Sequence, residues 1–468
     1  MLNAETKLWQ HQQRGKDRML DKPATYLAWE MGTGKSLAVV AAIDEAQWPL
    51  NLIVCPKSVV PVWPGQFAKH LADPDSIVVS APVKGTVERR LEDSRGDMRR
   101  ARTEGKPFVL VVNTDAVWRK PMGEALKRPV WSSVTIDEAH RSSSGPRTKF
   151  YRWAQKLQAE RRSCLSGTPL AHSPLNAWPQ FRFLAPDAVH RTYTQFRATY
   201  AVMGGHRVNG RPVQVMGYQN LDDLEQRIAP YVDRVRKDDV LDLPPVVHED
   251  HVVELPRDAM KNYRELEGEL ITEVDGGICT ASNVLAKSMR LRQLVQGHAK
   301  LESGAVVNVH AAKRDALSEI IADLPPDEPV VVFCCFHRDL DTVNSVAGAA
   351  GRPCDELSGR CDDVRGTWQP QPGAGSLAAV QIQSGGVGID LTAACHVVFL
   401  GHDWSLSNYD QAIARLDRPG QTRSVTVHHV IASGTIDETI RQALAKRRDL
   451  VEAVMERISK INTKEHTT

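Results

Sequence analysis

Tyr26-Leu27-Ala28-Trp29-Glu30-Met31-Gly32-Thr33-Gly34-Lys35-Ser36 is the stretch whose reading decides the fold. Tyr26 to Trp29 fits a strand, two glycines follow within a short loop, and Ser36 to Ala46 carries a helical pattern. Such a loop cradles phosphate. Gly32 and Gly34 let backbone N–H groups turn inward, and the N-terminus of the next helix favours the same negative charge. Met31, Gly32, Thr33 and Gly34 then form the cradle, Lys35 reaches the β and γ phosphates, and Ser36 ligates Mg2+. The full GxxxxGK[ST] spacing has glycine where this chain has Trp29. Taken alone, the loop also reads as a plain glycine-rich strand-to-helix turn.

The second half of a nucleotide site lies downstream, where Val134-Thr135-Ile136 runs straight into Asp137-Glu138-Ala139-His140. A carboxylate at the C-terminal end of a strand holds a metal from the other side of the phosphates. Asp137 is therefore expected to serve Mg2+ through water. Glu138 is placed to orient and deprotonate the attacking water in line with the γ-phosphate. His140 is expected to couple this site to a neighbouring motif rather than to ligate metal. Loop and acidic motif together call for ATP and Mg2+ as cofactors.

Outward from these motifs, short β-branched runs alternate with amphipathic stretches. Leu52–Cys55, Phe108–Val112 and Val134–Ile136 read as buried parallel strands, and Val62–Leu71 as a helix between them. A second set follows with Val330–Phe333, Ala378–Ile382, Val397–Leu400 and Val425–Val427. The pattern predicts an α/β fold of two parallel-sheet lobes in tandem, with helical insertions and a C-terminal helix. The first lobe is expected over 1–237, with a helical insertion from about 187. A linker and further insertion follow over 238–310, containing Pro244-Pro245 and the helical patterns Met260–Glu273 and Ser282–Gln296. The second lobe is expected over 311–468, closing in one charged helix over Asp437–Ile461.

A chain of 468 residues has room for two or three compact units, and 42% hydrophobic with 25% charged residues is a globular balance. No apolar run of membrane-spanning length occurs, and the start lacks a basic stretch followed by an apolar one, so an intracellular, cytoplasmic protein is expected. The cysteines show no CxxC pair and read as reduced and buried. A net charge of +2 does not by itself announce a nucleic-acid binder. The arginine-rich stretch around Arg89, Arg90, Arg95, Arg99, Arg100 and Arg102 is interleaved with Glu88, Glu92, Asp93, Asp97 and Glu104. It reads better as a solvated helix with paired charges than as a phosphate grip.

In order and nearly from end to end, the motifs resemble superfamily-two helicases, specifically the Swi/Snf-type DEAH-box DNA translocases with RecA-like lobes. Leu8-Trp9-Gln10-His11-Gln12-Gln13-Arg14-Gly15 is similar to the opening motif, which implies that Gln12 reads the adenine edge. Ile53-Val54-Cys55-Pro56-Lys57-Ser58 followed by Trp63 resembles a DNA-backbone motif. Leu165-Ser166-Gly167-Thr168-Pro169-Leu170 resembles the motif in which Ser166 and Thr168 couple the ATP site to the DNA side. Leu291-Arg292-Gln293-Leu294, the run Ser384–Ala394 with Gly388 and Asp390, Asp403-Trp404, and Gln411 to Gln421 are similar to second-lobe motifs. The chain has Gln383 where the family has a basic residue, and Ser142-Ser143-Ser144 after His140-Arg141.

The resemblance implies an ATP-dependent motor on nucleic acid, with double-stranded DNA the expected track in replication, recombination or repair. Arg415 and Arg418, three apart and expected on one helical face, would supply an arginine finger with Arg418 foremost. Gln411 would couple nucleotide to movement. Lys57, Ser58, Asn113, Thr114, Ser384, Gly385 and Gly386 would grip phosphates without sequence preference. A strand-separating DNA or RNA helicase is the alternative, held second because no wedge hairpin is recognisable. A nucleotide-gated clamp without turnover is another, disfavoured by the presence of Glu138 and both arginines. A monomer targeted by a protein partner, with no membrane association, is the expected working form, in a bacterial or virus-infected cell.

Overall fold

The computed structural model describes residues 1–143, 145, 148–170, 173–208, 211–275, 281–300, 304–361, 366–382 and 389–465. They divide into two compact units, Met1–Leu241 with Asp449–Thr468, and Asp242–Arg448.

The first unit holds β1 (Ala24–Trp29), β2 (Leu50–Cys55), β3 (Val78–Ser80), β4 (Phe108–Asn113), β5 (Val130–Asp137), β6 (Gln158–Leu165), β7 (Ala201–Val208), β8 (Arg211–Tyr218) and β9 (Val232–Val235). Seven of these form one sheet in the order β3-β4-β2-β5-β6-β1-β9. Their pairings are parallel. Side chains alternate across a strand, and both faces of this sheet are covered. Tyr26, Ala28, Leu52, Val54, Leu110 and Val134 therefore enter one apolar cluster. Leu27, Trp29, Ile53, Cys55, Val109 and Val111 enter the cluster on the other face. That two-sided burial is why these strands read as unbroken apolar runs.

The second unit holds β10 (Val246–Val253), β11 (His298–Lys300), β12 (Val306–Asn308), β13 (Val330–Cys334), β14 (Cys354–Leu357), β15 (Gly366–Thr367), β16 (Leu377–Gln381), β17 (Ile389–Asp390), β18 (His396–Phe399) and β19 (Val425–Ala432). Its main sheet runs β10-β19-β18-β13-β16-β14, again with parallel pairings. Val331, Phe333, Val380 and Val397 face one cluster, and Val330, Val332, Ala379 and Val398 the other. Among the described residues, no helix is long and apolar enough to cross a membrane.

Three differences from the sequence reading have physical causes. Val246–Val253, expected within the linker and helical insertion of 238–310, is the sheet-edge strand β10, paired with β19 from Val246↔Val425 to Val253↔Ala432. Its polar centre, His248-Glu249-Asp250-His251, suits an edge strand and hides the strand from a hydrophobicity reading. The expected helical insertion after 187 carries an antiparallel hairpin, β7 with β8. Gly204, Gly205 and two register shifts interrupt its alternation, which is why no hairpin is visible in the sequence. The last helix, Ile436–Glu465, is the single long helix expected, and it runs on past Ile461 to Glu465. From Asp449 onward, however, it belongs to the first unit, where Val454, Met455 and Ile458 enter the core.

Candidate active site

The strand ends assemble the site. In the first sheet β6 lies between β1 and β5, and Leu165 stands in register with both Leu27 and Asp137. The segments following these three strands (the loop at 30–34, the acidic motif and Ser166 to Thr168) therefore leave the same edge of the sheet. That edge, at the C-terminal ends of parallel strands, is where such folds bind ligands.

Gly32 and Gly34 have φ of 84° and 86°, a region closed to most L residues. At Gly34 a Cβ would also lie 2.2 Å from Gln12 Nε2, so a side chain there would displace the Gln12 amide. Gln12 Nε2 donates to Thr33 O at 3.0 Å, its Oε1 accepts from Trp9 N at 2.9 Å, and His11 Nε2 lies 2.8 Å from the same Thr33 O. Both ends of the Gln12 amide are thus engaged, and its position here is that of a brace for the loop. Beside it opens a cavity of about 380 Å³ whose lining includes Trp9, His11, Arg14, Arg234 and Val240.

Trp29 occupies the glycine place of the general motif because the surroundings are built for it. Its Nε1 donates to Asp233 Oδ2 at 2.6 Å, and the His11 ring packs edge-on at 4.9 Å. Gly15 leaves the room, since a Cβ there would lie 2.4 Å from the indole.

Lys35 Nζ donates to Trp29 O at 2.8 Å and Glu30 O at 3.2 Å. Burial lowers its pKa, opposed by the charges of Glu138, Asp137 and Glu30. Ser36 is half-buried one residue on, in the first turn of the helix Lys35–Ala46. Asp137 is pushed up to about 7, first by burial and then by the Glu138 carboxylate, with Lys35 pulling the other way. Two crowded carboxylates and one lysine beside an N–H-lined loop are a donor set short of positive charge. They fit Mg2+ and the phosphates of ATP.

Glu138 adopts φ 51°, and its N–H donates to Asp137 Oδ1 at 3.0 Å. His140 Nδ1 lies 2.7 Å from Ser166 Oγ and 3.4 Å from Glu138 Oε2. Ser166 Oγ in turn accepts from Thr168 N at 3.1 Å. The structure thus links the half-buried Glu138 to the buried His140, Ser166 and Thr168, and Gly167 brings this segment against Met31 of the phosphate loop.

Lys57 is exposed and Ser58 half-buried just beyond β2, and Asn113 ends β4. Thr114 Oγ1 donates to Cys55 O at 3.0 Å, and Asn113 Oδ1 accepts from Arg90 at 3.3 Å. All four sit on the sheet edge that carries Asp137. Arg89, Arg95, Arg99 and Arg100 of that stretch pair along their own helix, as with Arg89 and Asp93 at 3.1 Å.

In the second unit Asp390 Oδ1 accepts from Thr392 N at 3.0 Å and Thr392 Oγ1 at 2.7 Å, while Arg418 lies 3.8 Å from Asp390 Oδ2. The two arginines do not share a helical face. The helix Leu406–Ile413 ends before them, and Arg415 and Arg418 lie in the turn beyond. Pro419 disfavours helix at the residue before it, and Gly420 has φ 107°. Arg415 O accepts from Leu391 N at 3.1 Å, tying this turn to the Asp390 segment. Gln411 is buried and reaches Ser407 Oγ at 3.3 Å. Gln421, not singled out from sequence, donates to Ala394 O at 2.9 Å and accepts from Thr422 N and Arg423 N. Ser384, Gly385, Gly386 and Gly388 lie outside the described residues.

Residues 8–300 match the family model described as the SNF2-related domain, and residues 312–420 that of the helicase conserved C-terminal domain. The chain is 26% identical over 432 residues to the DNA annealing helicase and endonuclease ZRANB3 of Homo sapiens, covering 88% of this chain and 37% of that protein. It is 25% identical over 461 residues to the putative ATP-dependent helicase/translocase YwqA of Bacillus subtilis, covering 94% and 48%. Against the TATA-binding protein-associated factor mot1 of Schizosaccharomyces pombe the figures are 23% over 488 residues, 88% and 24%. The chain spans less than half the length of each of these three relatives. Among solved structures, the Sulfolobus solfataricus SWI2/SNF2 ATPase core in complex with dsDNA aligns with a TM-score of 0.43 and 23% identity, covering 96% of this chain and 93% of that one.

Proposed function

We propose, from the premise that this chain belongs to the SNF2-related domain family, that it is a motor which translocates on double-stranded DNA. The chain is an ATP hydrolase of the helicase-like class. The observation that carries the finer reading is the shared sheet edge. Lys57, Ser58, Asn113 and Thr114 stand on the same row of strand ends as Asp137, in register through β2, β5 and β4. A grip on phosphates there is mechanically close to the group that changes on hydrolysis.

Lys35 and the loop N–H groups hold the β and γ phosphates, and Ser36 and Asp137 serve the metal. A Mg2+ held by Ser36 and Asp137 would neutralise charge that develops on the phosphoryl oxygens. Glu138 takes the proton of the attacking water, and His140 carries the change in Glu138 to Ser166 and Thr168 through the 2.7 Å contact. Arg415 and Arg418 of the second unit are the source of the further positive charge that phosphoryl transfer requires. Within its own unit Arg418 lies 3.8 Å from Asp390 Oδ2.

Strand separation is the second reading, and one observation favours it. The antiparallel hairpin β7–β8 is the type of element that a strand-separating wedge uses. Displacement of a triplex-forming strand from blunt duplex, set beside unwinding of a forked duplex, separates the two. ATP-dependent triplex displacement without fork unwinding supports translocation. Fork unwinding that is lost when the hairpin is replaced by a short turn supports strand separation. Replication, recombination or repair is the proposed setting, with a partner protein supplying targeting.

A further inference from the structure

The second sheet carries histidines that the ATP site does not use, and they sort by face. Glu249 and His251 are two apart on β10 and so point the same way, and His428 of β19 stands in register with Glu249. Their polar atoms converge. His428 Nδ1 is 3.0 Å from His251 Nε2 and 3.2 Å from Glu249 Oε2, and the last two are 3.9 Å apart.

A tetrahedral ion with bonds of about 2.0–2.2 Å to nitrogen and oxygen sets its ligands about 3.3–3.6 Å from one another. The three observed separations bracket that edge length, so the two strands already hold the three donor atoms near ligand spacing. His428 is 7% exposed, His251 35% and Glu249 50%, which gives a closed floor and an open side for ion entry and a water ligand. The fixed member is also oriented from behind, since His428 Nε2 lies 3.1 Å from His396 Nδ1. A metal-binding imidazole held through its other nitrogen is the usual supporting arrangement. Two imidazoles and one carboxylate suit zinc and its neighbours rather than the all-oxygen preference of Mg2+ or Ca2+.

We propose that Glu249, His251 and His428 bind one divalent transition-metal ion of the zinc type, with His396 as the residue that positions His428. The ion ties β10 to β19. That strand is the edge of its sheet, paired on one side only, so a bond between side chains of the two strands holds it where no further ladder does. A neighbouring trio, Glu328, Cys395 and His396, is the rival location. There Glu328 is already matched by Arg423 at 2.8 Å, and Cys395 Sγ meets it at 3.4 Å.

The test uses the full chain, stripped of metal by chelation and titrated with Zn2+ alone in nucleotide- and Mg2+-free buffer against a chromogenic competitor. A parallel titration uses Co2+ with absorption read-out. Expected are one tight equivalent, loss of that equivalent in His251→Ala and in Glu249→Gln, and about 10–100-fold weaker binding in His396→Ala. His248→Ala, on the opposite face, and Cys395→Ser are expected to bind as the parent does, with no thiolate-to-cobalt band. Zn2+ is further expected to slow amide exchange across Val246–Val253. Absence of a stoichiometric equivalent, retention of it in folded His251→Ala, or a thiolate band abolished by Cys395→Ser would each overturn the assignment.

Discussion

At Gly34 two requirements meet, a φ of 86° and the approach of Gln12 Nε2 to within 2.2 Å of any Cβ. Left-handed backbone costs an L residue about 1–2 kcal/mol, so Gly34→Ala is expected to weaken ATP binding about tenfold or more while the fold survives. Titration with a fluorescent ATP analogue reads this, and unchanged affinity would remove Gln12 and Gly34 from the nucleotide account. Gly15→Ala tests packing instead. The new methyl meets a Trp29 ring anchored on Asp233, and a loss of about 1–3 kcal/mol in denaturant unfolding is expected. The difference between these positions also explains what sequence made legible. Gly32, Gly34, Lys35, Ser36, Asp137 and Glu138 follow from chemistry at short local spacing. The fit of Trp29 depends on Gly15 and on Asp233, which lies about two hundred residues away, and no local pattern encodes that.

Elements whose two faces are buried announced themselves; those at edges did not. β2, β4, β13 and β18 are near-continuous apolar runs because both faces meet core. β10 is polar at its centre, β7 and β8 are interrupted by glycine, and the turn after Ile413 is set by Pro419 and Gly420. The terminal helix was legible in length, but not in which unit its last turns complete. Its docking offers a pH-dependent test. Glu225 is 1% exposed, with Arg457 of that helix 3.9 Å away, and burial pushes its pKa up to about 7 against the pull of Arg457. A carboxyl raised in the folded state keeps its proton while the unfolded chain has already lost it. Stability is therefore present at low pH and falls as pH rises from about 4.5 through 7. Glu225→Gln is expected to melt a few degrees above the parent at pH 8 and together with it at pH 5. Equal melting temperatures at both values would show that the carboxyl is hydrated.

Lys35, Ser36, Asp137 and Glu138 lie in one unit, and Arg415 and Arg418, proposed to serve the same hydrolysis, lie in the other. Arg418→Ala is therefore expected to cut ATP turnover about 10³-fold or more while nucleotide affinity changes only a few-fold. A loss of binding instead would make Arg418 a nucleotide anchor. The most direct measurement is steady-state ATP hydrolysis by the parent chain and Glu138→Gln, each with no nucleic acid, with duplex DNA, with single-stranded DNA and with RNA. Stimulation by duplex that fades as salt rises, and that falls by about 10²–10⁴ in Glu138→Gln, is the expected result. Stimulation confined to single strands or RNA, or turnover undiminished in Glu138→Gln, would contradict a duplex-DNA motor driven by this site.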